Sequence, residues 1–142
     1  MVMGHNDSSL LYLIDFGLST RFVDDQGVLV EKQQLGRFSG NFLFTSLNAC
    51  RGYNKCRRDD MEAAFYILIY LINNKTLPWS DFDMRFKGMN FKFQDLLKER
   101  LKRHYSCQLF KMVPNNLQEC LKSVLCLKYE DTPNYDHILN CF

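Results

Sequence analysis

The most hydrophobic run of the chain is MEAAFYILIYLI at residues 61–72, where nearly every position after Glu62 is apolar. Glu62 follows Asp59 at the three-residue spacing of a capping box, which predicts a helix with Asp59 as its N-cap. A helix with no polar face is predicted to be buried on all sides, as the central helix of a single domain. The run is shorter than the roughly 20 residues of a membrane span, so no membrane association is expected.

Amphipathic spacing predicts three more helices downstream. The first has an apolar face and an opposite basic face. The apolar face consists of Phe93, Leu96, Leu97 and Leu101. The basic face consists of Lys98, Arg100, Lys102 and Arg103. In the second, one face carries Leu117, Leu121, Val124 and Leu125. In the third, Thr132 is the predicted N-cap and Pro133 occupies the first turn, with an apolar face of Tyr135, Ile138, Leu139 and Phe142.

The part of the chain before these helices has a different pattern. Residues 9–16 form a short apolar run that predicts a β-strand with Asp15 at its end. Residues 18–48 carry no long periodic stretch and are interrupted by glycines, which predicts mostly loop. Loops of this length in compact domains usually have a function. The predicted fold is therefore mainly α, with a short β-strand region ahead of a long loop.

Composition narrows the class of protein only slightly. A chain of 142 residues with net charge +2 suits one globular domain and gives no reason to expect nucleic-acid binding. The basic stretch KERLKRH at 98–104 is interpreted as a solvated helix face. No apolar leader segment opens the chain, so a cytoplasmic or nuclear location is expected.

Six cysteines are present, without any C-x-x-C pair. They are expected to be reduced and to pack as buried structural thiols. His137 and Cys141 are four residues apart on a predicted helix and could both contact a metal. Two ligands do not make a zinc site, so they are interpreted as packing residues.

The strongest functional signal is the order of several short blocks. LIDFGLS is followed by the long loop, then SGNFLFTSLN, RRDDMEAAFYILIY and LPW, with KYEDTPNYDHILNCF at residues 128–142. This order resembles the C-terminal lobe of protein kinases, specifically the casein kinase I family, in which R-R-D-D-x-E followed by L-P-W is the most specific part. The resemblance covers essentially the whole chain and implies one partial protein kinase domain at residues 1–142.

The resemblance implies a nucleotide site at the D-F-G triplet. Asp15 would chelate the Mg²⁺ bound to the phosphates of ATP, since Mg²⁺ prefers carboxylate oxygen. Phe16 would pack under the nucleotide, Gly17 would let the backbone turn, and Ile14 would face the base pocket. ATP and Mg²⁺ are therefore the expected cofactors.

The resemblance also implies residues that support this site. Asp60 matches the family's buried aspartate, which accepts backbone N–H groups of the catalytic loop. Ser46 and Asn48 match a segment that closes the substrate-binding loop. Arg57 and Arg58 either pair with loop carboxylates or are solvated.

Several catalytic parts are not found in the sequence. It contains no G-x-G-x-x-G, no V-A-I-K strand and no H-R-D, so the catalytic-base aspartate is unknown. MVMG at the start matches the family segment that directly follows the catalytic-loop asparagine. The chain is therefore expected to begin just after the catalytic loop.

Departures from the family pattern bear on activity. The family threonine that contacts the base aspartate is replaced by Asn41. Basic residues that bind phosphorylated substrates correspond to Thr20, Gly36 and Leu43, with Arg21 and Arg37 one position along. A preference for a phosphate-primed substrate therefore cannot be carried over.

These observations predict a fragment of a casein kinase I-like serine/threonine kinase that acts on protein substrates and is inactive alone. The alternative is a degenerate pseudokinase that serves as a protein-interaction module, and a third possibility is an unstable remnant. The central helix would normally pack against helices that precede it in the family. An exposed apolar face is therefore expected, with self-association as its consequence.

Overall fold

The computed structural model describes residues 2–3, 7, 9–36, 41–81 and 91–142, side chains at 2–3 and 91–98 excepted. The chain is mainly helical, and the predicted fold class is confirmed. The elements in chain order are β1 (Val2–Met3), β2 (Leu11–Tyr12), α1 (Leu47–Cys50), α2 (Arg57–Ile72), α3 (Phe91–Leu109), a 3₁₀ turn (Phe110–Met112), α4 (Asn115–Leu125) and α5 (Tyr135–Leu139). Among the described helices, none combines the length and apolar character that crossing a bilayer requires.

The β region is smaller than the sequence pattern predicts. β1 and β2 pair antiparallel, with Val2 opposite Tyr12 and Met3 opposite Leu11. The predicted strand at 9–16 is reduced to two residues, because the apolar side chains from 10 to 18 are exposed and gain no burial from an extended strand. In the described part of residues 18–48 the loop prediction is confirmed apart from α1, which begins at Leu47.

Helix α2 begins three residues earlier than the predicted cap at Asp59 implies. Its N-cap is Cys56, and Asp59 occupies the third helical position of a capping box with it. The Asp59 Oδ2 atom accepts the Cys56 backbone N–H at 2.9 Å. The prediction that Asp59 is the N-cap was therefore wrong, because its carboxylate reaches back to the residue that caps the helix.

The prediction that α2 is buried on all sides was also wrong. Phe65, Tyr66 and Ile69 are buried, whereas Leu71 is 62% exposed and Ile72 is 47% exposed. The helix therefore packs along one side against α4, and its last turn presents apolar side chains to solvent.

The core is centred on Trp79, in the L-P-W block that follows α2. The Trp79 ring is fully buried and meets Tyr66 edge to face at a centroid distance of 5.0 Å. Its Nε1–H donates to the Leu43 carbonyl at 2.9 Å, which fixes the loop before α1 to the helical body. Burial with a satisfied indole N–H is the favourable arrangement for tryptophan.

Helix α3 contradicts the predicted division into faces. Lys102, assigned to the solvated basic face, is 2% exposed, while Leu101 on the predicted apolar face is half-buried. The predictions for Phe93, Leu96, Leu97 and Lys98 lie outside the described side chains. The reading of KERLKRH as a solvated face is therefore wrong at Lys102.

The last two helices agree better with the pattern. In α4, Leu117, Leu121 and Val124 are buried as predicted. In α5 the N-cap is Asn134, which accepts the His137 backbone N–H at 3.0 Å, so the assignment of Thr132 as the cap was wrong. Of the predicted apolar face of α5, Ile138 is buried, whereas the other three side chains are exposed, namely Tyr135, Leu139 and Phe142.

The long loop is attached to the helical body at residues 30–36. The Tyr129 hydroxyl donates to the Val30 carbonyl at 2.9 Å, and Asn54 Nδ2 donates to the Tyr129 hydroxyl oxygen at 2.8 Å. Gly52 lies against Gly36, where a Cβ would come within 2.8 Å of the Gly36 carbonyl oxygen. Gly52 also has φ +79, so both space and conformation favour glycine there.

Candidate nucleotide and substrate site

Asp15 lies just after the short hairpin, with an exposed carboxylate. Its backbone has φ 65, in the left-handed region that aspartate tolerates better than most residues. Its Oδ1 atom accepts the Gly17 backbone N–H at 3.3 Å, which closes a turn at the D-F-G triplet. This geometry presents a carboxylate to solvent, where it is accessible to a cation.

The neighbours of Asp15 are exposed as well. Ile14 is 48% exposed and Phe16 is 64% exposed, so the described chain supplies no pocket that covers either side chain. The structure thus places Ile14, Asp15, Phe16 and Gly17 together on the surface. Their contact with a nucleotide stays a prediction.

Ser46 and Asp59 form a buried pair that joins the end of the loop to α2. The Ser46 Oγ–H donates to Asp59 Oδ1 at 2.5 Å, and Ser46 Oγ accepts the Ala49 N–H at 3.1 Å as the N-cap of α1. Asp59 is 3% exposed, and the Arg58 guanidinium lies 3.7 Å away. Ser46 therefore links α1 to Asp59 of α2, and its role in closing a substrate-binding loop stays a prediction.

Asp60, the residue expected to be buried, is exposed. Its side chain faces a small cavity that residues 18–20 and Lys55 also line. Partial desolvation, with the Asp59 charge beside it, raises the pKa of Asp60. The expectation of burial was wrong for this chain, because no described segment packs over the Asp60 carboxylate.

Asn48 and Arg58 complete the set of predicted supporting residues. Asn48 lies in α1 and is half-buried, and its carbonyl accepts the Tyr53 N–H at 3.4 Å. Arg58 is buried, donates from Nη1 to the Leu127 carbonyl at 3.4 Å, and lies over the Tyr129 ring. Arg58 is therefore a structural cation and not a solvated one.

Sequence reasoning missed the role of Glu62, which it used only as a capping signal. Glu62 Oε1 accepts the Leu47 backbone N–H at 2.8 Å and the Tyr66 hydroxyl at 2.5 Å. Burial raises the pKa of Glu62, and this effect exceeds the opposite effect of the two hydrogen bonds, which lower the pKa. A glutamate within an otherwise apolar helix run was the available signal, because a buried carboxylate needs polar partners.

A larger cavity, of about 510 Å³, lies between the start of the long loop and the segment after α1. Its walls include residues 17–21 on one side and residues 52–55 on the other. The cavity therefore begins at Gly17 of the D-F-G triplet and extends along the loop.

The residues that depart from the family pattern have local structural roles. Asn41 begins a turn, with its Oδ1 accepting the Leu43 N–H at 2.9 Å. Thr20 and Gly36 are exposed, and Gly36 has φ 93, a conformation that favours glycine. Arg21 forms an exposed ion pair with Asp25, and Arg37 lies outside the described residues.

These features define a protein kinase C-terminal-lobe-like helical unit that carries a D-F-G turn at its N-terminal end. No family model matches the chain. Individual proteins are similar to it. A probable serine/threonine-protein kinase of Dictyostelium discoideum is 32% identical over 127 residues, which is 89% of this chain. The serine/threonine-protein kinase spe-6 of Caenorhabditis elegans is 30% identical over 94% of the chain. A probable casein kinase I homolog of Encephalitozoon cuniculi is 28% identical over 97% of it.

The resemblance to casein kinase I-like serine/threonine protein kinases that the sequence blocks predicted is therefore confirmed by these relatives. The chain spans 24% of the Dictyostelium relative, 34% of spe-6 and 42% of the Encephalitozoon relative. It therefore corresponds to part of each of these kinases.

Proposed function

We propose that residues 1–142 are the C-terminal-lobe part of a casein kinase I-like kinase that transfers the γ-phosphoryl group of ATP to serine or threonine of a protein. The observation that carries this proposal is the order of the D-F-G, R-R-D-D-x-E and L-P-W blocks in a chain related along nine-tenths of its length to such kinases. The catalytic base lies outside these residues.

Asp15 is the proposed Mg²⁺ ligand. Its carboxylate is exposed at the turn and supplies the hard oxygen donor that Mg²⁺ prefers. In the complete site Mg²⁺ would neutralise charge that develops on the transferring phosphoryl group. Ile14 and Phe16 would lose their present exposure beneath the nucleotide, and Gly17 would provide the turn.

The large cavity beside Gly17 is the proposed path of the protein substrate. It adjoins the D-F-G turn, which is where the acceptor hydroxyl has to meet the phosphoryl group. Asp60 lies beside this loop and is exposed, so it is available to accept N–H groups of a catalytic loop.

We propose that the 142-residue chain does not transfer phosphate by itself. Phosphoryl transfer depends almost entirely on positioning and charge stabilisation, and the sequence lacks the lysine strand, the glycine-rich loop and H-R-D. The relatives are kinases by name, so the comparisons do not favour the pseudokinase alternative. The observation that favours the pseudokinase alternative is the departure from the family pattern at four positions, namely Asn41, Thr20, Gly36 and Leu43.

The test is calorimetric titration of the purified chain with ATP and Mg²⁺, with Asp15→Ala as the test variant and Asp25→Ala as a matched exposed control. Binding that is lost only in Asp15→Ala supports the nucleotide site. Mg²⁺-dependent binding that Asp15→Ala leaves unchanged would sink the assignment of Asp15. Transfer of phosphate from ATP to a protein by the chain alone, abolished by Asp15→Ala, would contradict the proposed dependence on further parts.

A further inference from the structure

A second cluster of chemically reactive side chains lies far along the sequence from the D-F-G turn, between α4 and α5. Cys120 is on α4, His137 is on α5, and Cys141 lies two residues beyond the end of α5. One ligand atom of each residue, the two Sγ atoms and a ring nitrogen, lies within 4.8 Å of the others. In the part of the chain that the structure describes, this is the one group of three such side chains brought together in this way.

We infer that Cys120, His137 and Cys141 bind a single Zn²⁺ ion. Two sulfurs and one imidazole nitrogen are a common zinc donor set, and three protein ligands leave a fourth position for water. The sequence pattern presented only His137 and Cys141, whose spacing is insufficient alone. The third ligand comes from another helix and is visible only in the fold.

The geometry needs little adjustment to accept the ion. Zn–S distances of about 2.3 Å and Zn–N distances of about 2.0 Å place two sulfurs and one nitrogen in a tetrahedral site roughly 3.5–3.8 Å apart. The ligand atoms therefore have to approach by at most about 1.3 Å from their present limit of 4.8 Å. His137 is exposed and Cys141 lies outside the regular helix, so both side chains have room to move.

Cys120 is the ligand whose position the core fixes. Its side chain is fully buried within the core that α4 forms with α2, whereas His137 faces solvent. The ion would enter from the His137 side and would keep its water there. Cys141 Sγ–H now donates to the His137 carbonyl at 3.2 Å, a bond that zinc binding would replace.

The binding step releases protons. Burial raises the pKa of the Cys120 thiol to about 11, and a hydrogen bond with Cys141 adds to the shift. Zn²⁺ is ligated by thiolate, so each cysteine passes its thiol proton to the buffer as its Zn–thiolate bond forms. The His137 imidazole would bind the ion through a ring-nitrogen lone pair.

The experiment titrates the reduced, metal-free chain with Co²⁺, which reports tetrahedral thiolate ligation by near-ultraviolet charge-transfer absorption and visible d–d bands, and then displaces it with Zn²⁺. The test variants are His137→Asn and Cys141→Ser, both at residues that are not fully buried. The matched control is Cys126→Ser, an exposed cysteine of the same region outside the cluster.

One Co²⁺ per chain with both absorption features is expected, and Zn²⁺ should abolish them. Loss of a residue that only hydrogen-bonds to a metal ligand weakens metal binding roughly 10- to 100-fold. Loss of either ligand, His137 or Cys141, is therefore expected to weaken binding at least about 100-fold. Cys126→Ser should leave it unchanged. Absence of the absorption, or its survival in both test variants, would overturn the site. So would a Cys120–Cys141 disulfide that reforms in air and excludes the metal. None of these outcomes depends on the nucleotide site.

Discussion

At the scale of single residues, Lys102 is the least expected feature of the chain. Its Nζ donates to the Thr45 carbonyl and lies 4.7 Å from the Tyr66 ring centroid and 4.9 Å from that of Trp79. The rings and the carbonyl offset part of the cost of burying an ammonium group. Burial still lowers the pKa of Lys102 from 10.5 to about 8, although nearby Cys50 and Glu62 favour its charge.

The first prediction follows from this pKa. Between about pH 8 and 10.5 the unfolded chain binds more protons at Lys102 than the folded chain does, so the contribution of Lys102 to the free energy of unfolding rises with pH. The stability difference between the native chain and Lys102→Met should shift in favour of the native chain by roughly 2 kcal/mol from pH 7.5 to 9.5. Urea unfolding at the two pH values measures it.

Taking the difference removes the contributions of groups that do not interact with Lys102. Burial raises the pKa of Cys56 and of Tyr66, so the contribution of each to the free energy of unfolding falls as the pH rises. This fall occurs in the native chain and in the variant alike. Lys122→Met, at an exposed lysine of α4, is the matched control and should show no such shift. A pH-independent difference for Lys102→Met would mean that Lys102 is solvated.

At the scale of elements, the N-terminus of α2 is organised by buried carboxylates. Asp59 binds Ser46 of the α1 cap and Cys56 of the α2 cap, and Glu62 binds Leu47. The first turn of a helix favours such charges, because its N–H groups lack partners within the helix. Two neighbouring aspartates in the R-R-D-D block therefore have different roles, which their identical side chains do not reveal.

The second prediction compares these two aspartates. Asp59→Ala removes the partner of Ser46 and leaves the buried Arg58 without its carboxylate, so it should lower the free energy of unfolding by about 3 kcal/mol. Asp60→Ala, at the adjacent exposed position, should change it by less than about 1 kcal/mol. Denaturant unfolding of both variants decides the matter, and an equal or larger loss for Asp60→Ala would refute the assignment of the buried role to Asp59.

At the scale of the whole molecule, apolar surface is concentrated near the N-terminal end. We call this surface the exposed apolar segment, and it consists of Leu10, Leu11, Tyr12, Leu13, Ile14, Phe16 and Leu18. Leu18 alone is 79% exposed. Contiguous apolar surface of this kind marks an interaction site or an aggregation risk.

The third prediction is that the chain alone self-associates through the exposed apolar segment. Leu11 is 67% exposed and Leu13 is 66% exposed, so Leu11→Lys with Leu13→Lys should shift the chain toward monomer in size-exclusion chromatography with light scattering. Binding of a dye that reports apolar surface should fall in parallel.

The control is Val28→Lys with Leu35→Lys, which charges two exposed apolar positions outside the segment. This variant should associate as the native chain does. A sharp monomer peak from the native chain with no dye binding would contradict the prediction.

The sequence by itself determined the resemblance to casein kinase I-like kinases, the helical fold and the positions of most helices. Periodic burial in α4 and the L-P-W block after α2 depend on local spacing, which a single chain displays directly. The D-F-G turn was equally visible, since its glycine and aspartate are local signals. The roles of Ile14, Asp15, Phe16 and Gly17 remain predictions by resemblance.

Only the tertiary structure decided which polar residues are buried. Lys102 and Asp59 are enclosed because Phe42, Trp79 and Ser46 reach them from other segments, and nothing in their own periodicity records those contacts. The same holds for Cys120, which meets His137 and Cys141 across two helices. Burial of charge and convergence of ligands are properties of long-range packing, so they emerge only when the chain folds.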